Sequence, residues 1–221
     1  MERMTDQKHS IVEFFKEKGF DDESINRLMR RCNRLESTGR GRATESWDYL
    51  GSIGIQKRRL LYVVSKCPKI LTMGLNQKLV TTVRCLATLG SKPGEVTSAI
   101  TKFPHIVSCS VEEKLCPLLA FFHMLGISDK QLGKMLLLNP RLISCSVETK
   151  LTQITDFLAS IGLNKEGLIV YPEFFRHGEK KSLEFRHKLL KQKNVHCSLS
   201  EMLSCNRKMF IAKYGLAAGF S

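Results

Sequence analysis

Four glycines, Gly54, Gly90, Gly126 and Gly162, stand 36 residues apart, and Pro68, Pro104 and Pro140 keep the same interval fourteen positions behind them. A fixed period of this length marks stacked helical units, none of which can bury its apolar face alone. Leu50, Leu86, Phe122 and Leu158 precede each glycine by four, and Ile53, Leu89, Leu125 and Ile161 precede it by one, so both sets share a helix face. Apolar pairs follow each proline, at Ile70–Leu71, Ile106–Val107 and Leu142–Ile143, and Lys–Leu steps follow at 78–79, 114–115 and 150–151. Such an array places function on a long surface and not in one catalytic pocket.

Residues 110–145 are the clearest unit. Leu115, Leu118, Leu119, Phe122 and Leu125 form an apolar stripe that predicts a first helix from about Val111 to Leu125. Gly126 can take the left-handed conformation that closes a helix. Ser128 or Asp129 then supplies the N-cap of a second helix carried by Leu132, Met135, Leu136 and Leu137. Pro140 ends that helix near Asn139, because it lacks an amide donor and disfavours helical geometry in the residue before it. Leu142–Ile143 reads as a single 3₁₀ or helical turn plugging the space between units. The predicted fold class is all-α, a solenoid of three-helix repeats.

The ends depart from the pattern. Gly19 precedes Gly54 by 35 residues and Phe15 sits four before it, so residues 10–45 resemble a degenerate first unit with Asn33 in the proline's place. Glu36 to Glu45 has the glycine and polar content of a loop or frayed cap. After Gly162 the next proline, Pro172, comes ten positions on, four fewer than elsewhere, which implies a shortened second helix or a junction at 165–171. The expected organisation is one continuous domain: a degenerate repeat over 1–45, regular repeats over 46–170, and a shortened final unit with capping helices over 171–221. An uncapped end of a shortened array would favour self-association.

Composition narrows the function. There is no apolar run long enough to cross a membrane, and Met1-Glu2-Arg3-Met4 opens neither a signal peptide nor an acid-poor transit peptide. Cys109 matches Cys145, and Cys67 matches Cys32, so the cysteines read as small buried residues in a reducing compartment. Zinc-ligand spacing and a glycine-rich phosphate loop are both missing, and Glu112–Glu113 fits the positive end of a helix better than acid–base catalysis. No catalytic residue, metal site or cofactor is expected. The net charge of +14 is concentrated: ten basic residues face nine acidic in 1–45, fifteen face eight in 46–170, and ten face four in 171–221. A basic track on a curved array attracts a phosphate backbone and releases its counterions. No basic amphipathic helix with aromatic anchors points to a membrane instead.

The candidate contacts follow the register. Lys78, Lys114 and Lys150 recur at one place in each unit and would make a ladder for successive phosphates, although the same spacing suits solvated lysines whose stems cover apolar neighbours. Lys66 and Lys102 precede proline by two and can complement a helix dipole. Lys69, His105 and Arg141 follow proline by one and could line a groove edge. In the tail, Lys180, Lys181, Arg186 and Lys191 interleave with aromatic residues such as Phe185, a mixture that can serve phosphate contact and base stacking.

The recurring Leu-x-x-Leu/Ile-Gly, the proline, the apolar pair and the Lys-Leu step together resemble the mitochondrial transcription termination factor (mTERF) family. Tyr171-Pro172-Glu173-Phe174-Phe175, the Arg186 to Lys193 segment, and Cys197-Ser198-Leu199 through Met202-Leu203 to Phe210 and Tyr214 resemble the C-terminal end of plant members. The resemblance implies a left-handed α-superhelix with a basic concave side. It also implies work in the chloroplast, or alternatively the mitochondrion, binding DNA or RNA in transcription termination, transcript maturation or organelle ribosome biogenesis. Plant members commonly carry more units than this chain. The family shares no catalytic residues. Trp47-x-x-Leu50-Gly51 superficially fits a tetratricopeptide opening, but it occurs once and the period is 36, not 34. The alternative of another class is an α-solenoid scaffold that binds proteins and makes no nucleic-acid contact.

Overall fold

The computed structural model describes residues 2–89, 92–162, 180–197, 201–202 and 207–214. All the regular structure among them is helical. Gly90, the 165–171 junction and Pro172 lie outside the described residues.

The chain divides into two compact units, 1–119 and 120–221. The first unit contains α1 (Glu2–Lys18), α2 (Asp22–Arg31), α3 (Arg40–Ser52), α4 (Lys57–Lys66), α5 (Thr81–Thr88) and α6 (Pro93–Lys102). A 3₁₀ turn follows each second helix, at Asn33–Ser37, Pro68–Thr72 and Pro104–Ser108. Like elements stack on like: α1 on α3, α4 on α6, and the turn at 33–37 on that at 68–72, which in turn meets 104–108. Each repeat thus has three members, as its breakers predict, and the 3₁₀ turns form a layer of their own.

The junction between second helix and turn repeats closely. Cys32, Cys67, Phe103 and Asn139 all leave the helical region, with φ between −145° and −132° and ψ between 72° and 83°. Proline explains three of them by crowding the residue before it. Cys32 precedes Asn33 and adopts the same geometry, so packing in the stack also imposes it. The side chains this turn delivers, Leu35, Ile70–Leu71 and Ile106–Val107, are fully buried.

Glycine closes the first helices. Gly54 has φ +96°, and bonds from Gly54 N to Gly51 O (3.0 Å) and Ile55 N to Leu50 O (3.3 Å) satisfy carbonyls at the end of α3. Gly19, at φ +102°, does the same for α1.

Two local features differ from the sequence reading. The stretch Glu36 to Glu45 is not a loop: Arg40 begins α3, with Gly39 at the N-cap. Ala43, Trp47 and Leu50 share the buried face of α3 and override the glycine-rich composition, and Trp47 packs edge-on against Phe14 and Phe20. The first helices of later repeats also do not begin as plain α-helix. They open on a π-turn, at Leu75–Val80, Val111–Leu115 and Val147–Leu151, in which Leu79, Leu115 and Leu151 bond back five residues to Gly74, Ser110 and Ser146. These three leucines are completely buried.

The helix α7 (Cys116–Met124) contains the boundary between units. The second unit holds α8 (Asp129–Leu138), a 3₁₀ turn at Pro140–Ser144, the π-turn at Val147–Leu151, α9 (Thr152–Ser160), α10 (Lys180–Gln192) and α11 (Arg207–Tyr214). Ser128 and Gln131 form a capping box at the start of α8, Ser128 Oγ accepting from Gln131 N at 3.4 Å and Gln131 Oε1 accepting from Ser128 N at 2.9 Å. Helix α10 packs on α9 and α11, burying Leu183 and Leu190.

Candidate nucleic-acid interface

Several basic residues of the first unit converge on the layer of 3₁₀ turns. A cleft of 490 Å³ is lined by Arg30 and Arg31 at the end of α2, Arg34 in the first turn, Lys66 at the end of α4, Lys69 in the second turn, and His105 in the third. Adjoining it is a groove of 720 Å³ lined by Arg34, Arg42, Lys69 and Lys78. Arg34 and Lys69 belong to both, so cleft and groove form one basic strip.

Local structure fixes its members. Arg31 spans adjacent repeats, its Nη1 donating to Ser65 O (2.8 Å) and its Nη2 to Lys66 O (3.1 Å), two of the carbonyls that the end of α4 leaves open. Arg34 and Lys69 occupy equivalent places in stacked turns, and both line the cleft and the groove. Glu112 and Glu113 also line the groove, near the start of the π-turn, and reduce its charge at that end. Ser110 Oγ accepts from Glu113 N at 3.2 Å, an N-cap that holds this acidic turn in place.

The candidates read from the sequence fare differently. Lys78 is exposed and lines the groove; Lys114 is exposed and Lys150 half-buried, each one residue ahead of its buried leucine in a π-turn. Lys69 is exposed within the strip. Lys102 is exposed and lines a separate 520 Å³ cavity between α4 and α6, together with Arg59, Tyr62 and the hydroxyl-bearing Thr97, Ser98 and Thr101. Arg141 is exposed in the turn at 140–144 and Lys191 at the end of α10. Lys180 and Lys181 begin α10, but their side chains lie outside the described residues.

Arg186 is a correction. It is 2% exposed, its Nη1 donates to Met202 O, and its guanidinium lies 4.9 Å from the Phe210 ring centre. It ties α10 to the C-terminal segment through a hydrogen bond and a cation–π contact and presents no face to a phosphate. The partners that bury it come from 16 and 24 residues further along the chain, which local composition does not reveal.

Arg30, Arg31, Arg34 and Arg42 line the cleft or the groove but were not among the candidates read from the sequence. The signal existed for two of them: aligning Asn33 with Pro68 puts Arg34 in register with Lys69 and Arg31 with Lys66. Treating 36–45 as a loop hid Arg42.

The cysteines are free, among the described residues. Cys67 is fully buried as expected, whereas Cys109 and Cys145 are half-buried, with Sγ 3.4 Å from His105 O and 3.9 Å from Arg141 O, where each thiol can donate to the post-proline carbonyl. Burial pushes the thiols of Cys67, Cys109 and Cys145 above the usual range. Among the described residues no three His, Cys, Asp or Glu side chains are grouped to hold a metal, and no helix is long and apolar enough to cross a membrane.

The family model for mTERF matches residues 1–211. The chain belongs to the mTERF family. A curated member, the Arabidopsis thaliana protein "Transcription termination factor MTERF6, chloroplastic/mitochondrial", is 52% identical over 90 residues. That match covers 40% of this chain and 27% of the Arabidopsis protein. The three-membered repeats described above are therefore those of an mTERF array, and the basic strip lies on its turn layer.

Proposed function

We propose that this chain is an organellar nucleic-acid-binding protein that acts in transcription termination or regulation, or in transcript maturation, by holding backbone phosphates along its basic strip. The observation that carries the reading is the convergence of Arg30, Arg31, Arg34, Arg42, Lys66, Lys69 and Lys78 on one continuous cleft and groove. Exposed cations of this number neutralise phosphates and release counterions, which supplies affinity independent of sequence. The name of the Arabidopsis relative, a termination factor of chloroplast and mitochondrion, supports both the process and the compartment. Lys102 and Lys114 offer further contacts on the first unit, and Arg141, Lys150 and Lys191 offer contacts on the second. The protein works by binding, without catalysis.

Fluorescence anisotropy with a labelled 20-base-pair duplex and a 20-nucleotide RNA, each titrated from 50 to 300 mM salt, tests this. The expected result is binding to at least one of them that weakens steeply with salt. Absence of binding to both at the lowest salt would favour the scaffold function.

A further inference from the structure

The cleft differs from the groove in ways that a passing backbone does not explain. Arg30, Arg31, Arg34, Lys66 and Lys69 bring five full positive charges, with His105 beside them, and no carboxylate lines the space. None of the five forms an ion pair with a carboxylate among the described residues. The helix ends they stand on do not account for them. Two helix C-termini present about half a negative charge each, so roughly one charge is set against five. Arg31 is pinned to α4 by two hydrogen bonds, which fixes a guanidinium edge in the cleft without using its other donors. At 490 Å³ the space lies within the ~300–1,000 Å³ of small-ligand sites. A diester backbone brings one charge per phosphate, whereas a terminal phosphate brings about −1.5 to −2. The density of positive charge suits adjacent phosphates ending in a monoester.

We propose that this cleft is a binding site for clustered phosphates: a polyphosphate chain carried either on the 5′ end of a nucleic-acid strand or on a small nucleoside polyphosphate. The two sources share the recognised chemistry, several phosphates within one cavity met by guanidinium forks and ammonium groups. Arg34 and Lys69 are common to cleft and groove, so a strand running in the groove can place its end in the cleft. The site goes beyond the proposed function, because it needs no strand along the groove to be occupied.

The test uses the full chain and three probes: a labelled 20-nucleotide RNA with a 5′ triphosphate, the same RNA with a 5′ hydroxyl, and inorganic tripolyphosphate as competitor. The variant Arg30→Gln/Lys66→Gln changes two residues that line the cleft and not the groove. At 150 mM salt the triphosphate RNA is expected to bind about tenfold more tightly than the hydroxyl RNA, the gain expected of roughly two further neutralised phosphates on a single strand. Tripolyphosphate removes that advantage, and so does the variant. If only the strand end gains and tripolyphosphate does not compete, the strand is the source. If tripolyphosphate binds to the wild type and not to the variant while the two RNAs bind alike, the free anion is the source. Equal binding of the two RNAs together with no tripolyphosphate binding overturns the site while leaving the proposed function standing. Loss of binding to both RNAs with tripolyphosphate still held does the reverse. Should the variant fold poorly by circular dichroism, the wild-type comparison of the three probes decides alone.

Discussion

Replacing Arg42 and Lys78 together with glutamine probes the groove directly. Both side chains are exposed, both line the 720 Å³ groove, and neither is in a salt bridge among the described residues. On a duplex each neutralised phosphate contributes a slope of about −0.9 to log K against log salt, so the double variant should flatten the slope by about 1.8. Counterion release scales with the distance from 1 M salt on that logarithmic axis. The same slope change therefore means roughly a 60-fold loss of affinity at 0.1 M and about a ninefold loss at 0.3 M. The 60-fold figure corresponds to about 2.4 kcal/mol. The assay is duplex anisotropy at five or so salt concentrations, with thermal melts to show that the fold is unchanged. Lys130→Gln/Lys134→Gln is the control, because it removes the same charge from exposed positions of α8 that do not line the groove. An unchanged slope in the groove variant would refute the reasoning. An equal drop in the control would also refute it, since net charge alone would then explain the effect. If the lysine ladder holds, adding Lys114→Gln and Lys150→Gln flattens the slope by about 0.9 more for each.

Four further outcomes follow from the same structure. Gly54→Ala should lower stability by about 1–2 kcal/mol in a denaturant melt, because φ +96° is costly for any side chain even though no atom lies within 4 Å of the added methyl. Gly51→Ala, three residues earlier and within α3, places its Cβ 3.9 Å from Leu60 Cδ1 and should be neutral or stabilising by up to about 1 kcal/mol. Ser128→Ala removes the capping box of α8 and should cost about 0.5–2 kcal/mol in the same melt. At pH 8, iodoacetamide should label exposed Cys116 well before Cys67, whose buried thiol has its pKa raised and so yields less of the reactive thiolate; mass spectrometry of timed samples reads the order, and equal rates would contradict the packing around Cys67.

The repeat was legible because its punctuation is chemical. A left-handed glycine, a proline that ends a helix and an apolar pair after it each demand one conformation locally, and Gly54, Gly126 and Gly162 all have positive φ. What composition suggested without such local demand was less secure. Gly39-Arg40-Gly41 suggested a loop, but the burial of Trp47 and Leu50 is decided by partners elsewhere in the stack. The π-turns were not legible in residue type, although each carries the buried leucine of a Lys–Leu step. Of the residues that line the cleft and groove, the register singled out Lys69 and Lys78, and the alignment of Asn33 with Pro68 puts Arg31 and Arg34 in the same register. Arg186 could not be sorted from its basic neighbours by sequence, because its hydrogen bond and its aromatic contact are both distant along the chain.

Crosslinking the protein to nucleic acid in the organelle, followed by sequencing of what is recovered, tests the central claim most directly. Enrichment of defined organellar DNA or RNA segments by the wild type, and its loss in Arg42→Gln/Lys78→Gln, is the result expected. Recovery of nothing above the level of that variant would contradict nucleic-acid binding through the basic strip and leave a protein scaffold as the function of the array.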